Sequence, residues 1–285
     1  MACYLKIIFS NYVYYILIVF FLNISWLSFS QSEIISKSID IEQGLSHTQI
    51  KIDSLSDNKQ FINILRFLNN NLDYLELTSE IGLNKLDKTS LIATEYNALA
   101  AVNGGFFNMK SGNLVTYFEK NDTIVYKTIS DSIRRSQPDY FLNGAVIIDT
   151  NNKLQLGFAQ LDDFYKESKN EKLVMVTGPV LLKNGKSVGL PMIAFVINRH
   201  PRTCICTSDE EIFLITIDGR SLLANGMSLL ELQKFLLDLG CKDALNLDGG
   251  GSTTMWIKDK GIVNMPSDKK GERPVSNVLM IVNKS

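Results

Sequence analysis

The amino-acid sequence predicts an α+β fold, a mixed-sheet core with packed helices, in a single domain over residues 31–285. Three observations lead there. Short apolar runs of strand length recur along the chain, separated by Asn, Gly and Pro turn residues. One stretch, Leu229 to Leu239, instead repeats its apolar residues at helical spacing. The 285 residues are 45% apolar and 21% charged, an ordinary globular composition with no internal repeat, low-complexity tract or linker.

The elements follow in chain order. After Lys6 no charge occurs until Glu33, and Ile7 to Phe29 is almost wholly apolar or aromatic. Ser28 and Ser30 are small residues placed for a cut before Gln31, so residues 1–30 read as a secretory signal peptide. The other reading is an uncleaved anchor helix, since about 20 apolar residues span a bilayer. Either way the remainder is expected outside the cytoplasm, periplasmic or secreted, and a membrane is a partner only if the leader stays. Residues 31–58 are a polar lead-in with one short strand near Thr48–Ile52. Phe61–Leu68 and Tyr74–Leu77 read as strands joined through Asn69-Asn70-Asn71. Thr89 to Leu99 reads as a helix capped by Thr89 or Ser90. It feeds the small-residue strand Ala100-Ala101-Val102. Strand-like runs follow at Thr123–Thr128, Ala145–Ile148, Leu154–Leu156 and Val174–Val176, and Asn184-Gly185 is a hairpin turn. Ile212–Ile217 is a nearly continuous apolar run, the mark of a buried strand. Ser228-Leu229-Leu230-Glu231 is a capping-box pattern that opens the helix, and Gly240 suits its end. Ala244–Leu247 and Val278–Val282 are the last strands.

Net charge is −1. Without a basic excess, nucleic acid is not an expected partner. Nothing in the sequence specifies an oligomeric state. Beyond the leader the cysteines are Cys204, Cys206 and Cys241, an odd number. Cys204 and Cys206 would share one face of a strand, a poor disulfide geometry, and C-x-x-C pairs are missing, so buried free thiols are the expected state and structural zinc is not.

Chemistry is expected where strands end. Asp218 follows Ile212–Ile217 and Asp248 follows Ala244–Leu247, with one helix between them. Such a crossover makes the two strands parallel and brings both carboxylates to one sheet edge. Either Asp could instead only cap its own loop. Asp248-Gly249-Gly250-Gly251-Ser252-Thr253-Thr254 is the most informative stretch. Its glycines let a ligand approach the main chain, its N–H groups can form an anion nest, and its hydroxyls add donors. No Lys follows, so it is not a Walker loop. Asn103-Gly104-Gly105-Phe106-Phe107 is a second glycine turn, with the two rings expected in the core. Arg202, Arg220 and Arg273 stand beside turns, and guanidinium groups suit phosphate. His200 reads either as a pocket residue positioning Arg202 or as a structural hydrogen-bonding group. His47 and His200 form no H-E-x-x-H, and no G-x-S-x-G elbow is present.

These pieces resemble the phosphodiester glycosidase family. In the family's order they run Ala101-Val102-Asn103-Gly104-Gly105-Phe106-Phe107, Gly178-Pro179, His200-Pro201-Arg202-Thr203, Ile217-Asp218-Gly219-Arg220, Gly226-Met227-Ser228, Leu245-Asn246-Leu247-Asp248-Gly249-Gly250-Gly251-Ser252 and Arg273-Pro274-Val275-Ser276-Asn277. The likeness spans residues 89–282. Cys204-Ile205-Cys206 departs from it, since the family usually has a small residue and Gly after the Arg-Thr pair. The resemblance implies a hydrolase that cuts the glycosidic bond of a sugar-1-phosphodiester, needing no cofactor or metal. Asp248, then Asp218, are the candidate carboxylates and Arg202 the candidate catalytic cation. Asn103, Gly104, Gly105, Thr203, Arg220, Gly249, Gly250, Gly251, Ser252, Thr253, Arg273 and Asn277 are the candidate substrate-binding residues. Two other classes stay open on the residues alone: a non-catalytic glycan-binding or polysaccharide-assembly protein, and a metal-dependent phosphodiesterase with Asp218 and Asp248 as oxygen ligands.

Overall fold

The computed structural model of the protein describes residues 33–42, 44–53, 59–68, 74–128 and 141–284. The leader and the Asn69-Asn70-Asn71 turn lie outside these residues. One compact unit spans Ser32–Ser285.

The architecture is predominantly β, which corrects the expected α+β arrangement with packed helices. Among the described residues the α-helices are Thr89–Glu95, Asp162–Glu167, Ala194–Ile197 and Leu229–Asp238, and the longest has 10 residues. An eight-stranded sheet runs, in spatial order, Glu33–Glu42, Leu45–Asp53, Gln60–Leu68, Glu211–Ile217, Arg202–Thr207, Asp243–Asn246, Val180–Lys183 and Lys186–Ser187. One five-stranded sheet joins Leu154–Phe158, Gly144–Asp149, Glu171–Thr177, Phe118–Lys120 and Thr123–Tyr126; the other joins Gly261–Ile262, Met255–Ile257, Ala100–Asn103, Asn277–Asn283 and Leu75–Ile81. Neighbouring strands pair antiparallel throughout these sheets.

Two-sided burial explains the apolar run at Ile212–Ile217. Ile212 and Leu214 enter a core shared with Val146, Met175, Met255 and Leu279 of the five-stranded sheets. Phe213, Ile215 and Ile217 face the other way, against Leu229, Leu232 and Leu236 of the helix Leu229–Asp238. Burying each such side chain contributes about 1.5–3 kcal/mol. The strand Glu33–Glu42 lies in the segment expected as a polar lead-in; its side chains are mostly exposed, with Ile39 and Ile41 half-buried.

The capping box forms as expected: the Glu231 N–H donates to the Ser228 hydroxyl (3.1 Å) and the Ser228 N–H to the Glu231 carboxylate (2.9 Å). The helix Thr89–Glu95 departs from expectation. It is shorter, and its cap comes from far along the chain, with the Ser90 N–H and hydroxyl both donating to Glu272. The cysteine expectation is also corrected. Cys206 joins Cys241, with Cα atoms 5.9 Å apart, and only Cys204 stays a buried free thiol. The partner of Cys206 is not its strand neighbour but the residue just past the helix, on the face that helix covers.

One row across the eight-stranded sheet is polar. Gln49 pairs with Asn63, Asn63 with Thr216, and Thr216 with Thr203, on the face that carries Leu65 and Leu214. The Gln49 amide donates to Asn63 (3.1 Å), and the Thr203 hydroxyl leaves the sheet to donate to Asn103 (2.7 Å).

Candidate active site

Strands Glu211–Ile217 and Asp243–Asn246 flank Arg202–Thr207 and both run antiparallel to it, so they are parallel to each other. The crossover therefore does what the sequence suggests: Asp218 and Asp248 leave the sheet at the same edge, one strand apart.

Their surroundings differ. Asp218 is buried. Its carboxylate accepts from the Asn264 amide and the Met265 N–H, both at 2.9 Å. Burial raises its pKa to about 6 against the opposing pull of those two donors. Asn264 also donates to the Thr253 carbonyl and accepts from the Met255 N–H. Asp218 thus braces the chain behind the glycine loop. Asp248 is half-buried and accepts from the Gly249 N–H at 2.9 Å. Burial likewise pushes its pKa up to about 6, opposed by Ser252, Gly249 and the charge of Arg273. The two carboxylates share a pKa near 6, and Asp248 is the one with exposed surface, which makes it the candidate for contact with a ligand.

Guanidinium groups border the glycine loop. A Cβ added to Gly250 would sit 3.1 Å from Arg220 Nη1, and one added to Gly251 would overlap both Arg273 and Asp268. Only glycine lets these side chains close on the loop. Arg273 is oriented by two bonds to Asp268, 2.7 and 2.9 Å. Arg220 is exposed, has φ +58°, and donates through Nη2 to His200 Nδ1 at 3.2 Å. A non-glycine residue at that φ costs energy, and such strain collects at working sites.

Arg202 is corrected as the reacting cation. It is 1% exposed, and its guanidinium donates to the carbonyls of Met227 (2.9 Å), Phe195 (2.8 Å) and Asn198 (2.9 Å) while lying 5.0 Å from the Phe195 ring centre. Burial and the charge of Arg220 lower its pKa to about 10. It holds the segment before His200 in place rather than facing a ligand. Five expected binding residues, Asn103, Gly104, Gly105, Thr203 and Asn277, are likewise braces. The Asn103 amide donates to the Asp248 carbonyl (2.6 Å) and accepts from Thr203 (2.7 Å) and the Thr254 N–H (3.1 Å), all within the interior. Asn277 accepts from the Gly105 N–H (2.7 Å), in space that a Cβ on Gly104 would occupy. Gly104 and Gly105 hold the second turn against Asp248, whose N–H donates to the Gly104 carbonyl (3.0 Å). Ser252 and Thr253 are buried behind the loop. What converges on the open side is Asp248, Gly249, Gly250, Arg220, His200 and Arg273, with Gly251 buried beneath Arg273. Asn264 and His200 act through Asp218 and Arg220, distant in sequence, so no local pattern marks them; Asp268 acts on Arg273 five residues on, inside a loop with no recognisable motif.

Phe106 is half-buried, edge-on to Phe141 (5.9 Å) and Phe195 (6.2 Å), while Phe107 packs on a core cluster. A cavity of about 630 Å³ lies at the opposite end of the Arg202–Thr207 strand, lined by Thr207, Asp243 and the strand Leu154–Phe158. It lacks the perturbed carboxylate and the guanidinium pair, so the strand-end site is the better candidate. Among the described residues no group of three or more His, Cys, Asp or Glu side chains is placed to hold a metal ion.

The fold and these loops define a phosphodiester glycosidase domain: that family's model matches residues 96–282, and the chain belongs to the family. It is 27% identical over 213 residues to the SPbeta prophage-derived uncharacterized protein YomE of Bacillus subtilis (strain 168), covering 72% of this chain but 31% of that protein. The chain thus spans about a third of that relative's length. Among solved structures it is similar to the catalytic domain of zebrafish N-acetylglucosamine-1-phosphodiester alpha-N-acetylglucosaminidase, auto-inhibited by its pro-peptide (TM-score 0.64, 20% identity, 89% of this chain and 83% of that one). It is also similar to a hypothetical protein from Synechocystis (TM-score 0.63, 16% identity, 88% of this chain and 64% of that one). These two likenesses establish the fold.

Proposed function

We propose that the protein is an exported hydrolase that cleaves the glycosidic bond of a sugar-1-phosphodiester in an extracytoplasmic glycan or polysaccharide. The observation that carries this reading is the half-buried Asp248 carboxylate, with its pKa near 6, at the foot of a glycine loop bordered by Arg220 and Arg273. Export rests on the apolar leader, and the reaction class on family membership.

The chemistry follows from the leaving group. When the anomeric C–O bond breaks, the oxygen departs on a phosphate monoester, a weak base. It needs cations and N–H donors more than it needs a proton. Arg220 and Arg273 supply the cations, while the Gly249 and Gly250 N–H groups already donate to the Asp248 carboxylate and the Pro201 carbonyl. Water then bonds to the anomeric carbon, and its proton passes to the ionised Asp248 and on to solvent. The products are free sugar and a phosphate monoester.

The test is incubation of purified protein with N-acetylglucosamine-1-phosphodiester and a panel of other sugar-1-phosphodiesters in ¹⁸O-water. Free sugar carrying the label at its anomeric oxygen is expected. Label in the phosphate would mean P–O cleavage and a phosphodiesterase. Binding of phosphorylated glycans with no turnover would make the protein a glycan-binding module.

A further inference from the structure

We infer that His200 is a positioning residue for the anion site: as a neutral imidazole it accepts from Arg220 through Nδ1 and holds that guanidinium over the glycine loop. The inference rests on the proposed role of Arg220 as a phosphate ligand and assigns the group that orients it.

Four observations carry it. Arg220 Nη2 and His200 Nδ1 are 3.2 Å apart. A guanidinium has no acceptor, so the imidazole must accept at Nδ1 and carry its proton on Nε2. The same guanidinium lies over Gly250, where an added Cβ would sit 3.1 Å from Nη1 and 3.2 Å from Nη2. Arg220 itself is exposed on a strained backbone with φ +58°, and an exposed Arg side chain without an acceptor would sample many rotamers. His200, in contrast, is anchored. Its N–H donates to Met227 (3.2 Å) and its carbonyl accepts from the Met227 N–H (3.1 Å), while Arg202 donates to the Met227 carbonyl beneath. The charged groups around the imidazole are Arg202 below and Arg220 beside it, while neighbouring Arg199 is paired with Glu231 at 2.5 Å. Two nearby cations and partial burial both favour the neutral ring. The hydrogen bond to His200 therefore spares the site the entropy of immobilising Arg220 when an anion arrives.

The probe is sulfate, which stays a dianion across the working pH range, so its binding reports the site without turnover. Calorimetry on the full chain compares wild type, His200→Ala and His200→Asn, whose amide oxygen can replace Nδ1 as acceptor. His200→Ala should weaken sulfate about tenfold, the loss of roughly one charge-assisted hydrogen bond, and His200→Asn should recover most of it. In sugar release, the alanine variant should raise KM with kcat little changed. With only two histidines in the chain, ¹⁵N NMR at pH 7.5 resolves His200, and Nδ1 should be the unprotonated nitrogen. Equal sulfate affinity in His200→Ala, no sulfate binding by wild type, failure of the asparagine variant to recover, or a proton on Nδ1 each overturns the inference. The expected sulfate pattern without sugar release from any substrate would instead sink the proposed hydrolysis and leave the role of His200 standing.

Discussion

Replacing Asp248 by Asn should remove activity and at the same time stabilise the protein, in a pH window set by its carboxyl. Burial raises that pKa from 3.8 to about 6. Between those values the folded protein holds a proton that the unfolded chain has released, so stability falls as pH rises through the window. The contribution is fully present below pH 3.8 and lost above about 6. A shift of roughly two units corresponds to about 3 kcal/mol, at 1.36 kcal/mol per unit. Asparagine has nearly the same shape, carries no charge, and can still accept from the Gly249 N–H. The variant should therefore match wild type at pH 3.5 and exceed it at pH 7.5 by up to about 3 kcal/mol. In a domain of this size that is a rise in melting temperature of roughly 6–12 °C. Sugar release should drop by at least about a hundredfold, the low end for losing a general base, and wild-type rate should rise with pH through about 6. Melting curves at pH 3.5, 5.5 and 7.5 beside a turnover assay check both halves. A variant no more stable than wild type at pH 7.5 would refute the burial argument, and turnover within tenfold of wild type would refute the catalytic one.

Other perturbations follow from the same geometry. Gly251→Ala should drive Arg273 off Asp268 and cut kcat/KM at least about tenfold while far-ultraviolet circular dichroism stays unchanged, since the overlap is with side chains at the site. Asn264→Ala should lower stability by about 2–4 kcal/mol in denaturant unfolding, because Asp218, Met255 and Thr253 all lose a partner and one of them is a buried charge. Reduction of Cys206–Cys241, or Cys241→Ala, should cost about 3–4 kcal/mol for a closed loop of 35 residues, read as an earlier urea midpoint.

The sequence revealed strands better than helices, for a physical reason. Ile212–Ile217 is apolar on both faces because both faces are covered, and that signal survives any error in pairing direction. The same run was no guide to the fold class, since an antiparallel strand covered on two sides looks like a parallel one. The strand Glu33–Glu42 leaves only a short alternation, Ile39 and Ile41, among exposed polar residues. At the site, chain order was enough to bring Asp218 and Asp248 to one edge. The roles of the arginines were not readable there. Arg202 and Arg220 both stand beside turns, and only the carbonyls of Phe195, Asn198 and Met227 decide that one is inside and the other out. Asn264 and Glu272 work across long stretches of chain, so no local pattern announces them.

The polar file Gln49, Asn63, Thr216 and Thr203 acts as a vernier for assembling the large sheet. Were the strand of Asn63 or of Thr216 to slide by one residue, its member of the file would turn to the opposite face and an isoleucine would take its place. A slide by two would keep the face but part the Gln49 amide from Asn63 or the Thr203 hydroxyl from Asn103. Misthreaded intermediates are thus penalised strand by strand. The last member, Thr203, hands the correct alignment to Asn103, so the second glycine turn can dock only on a sheet that has been laid down in step.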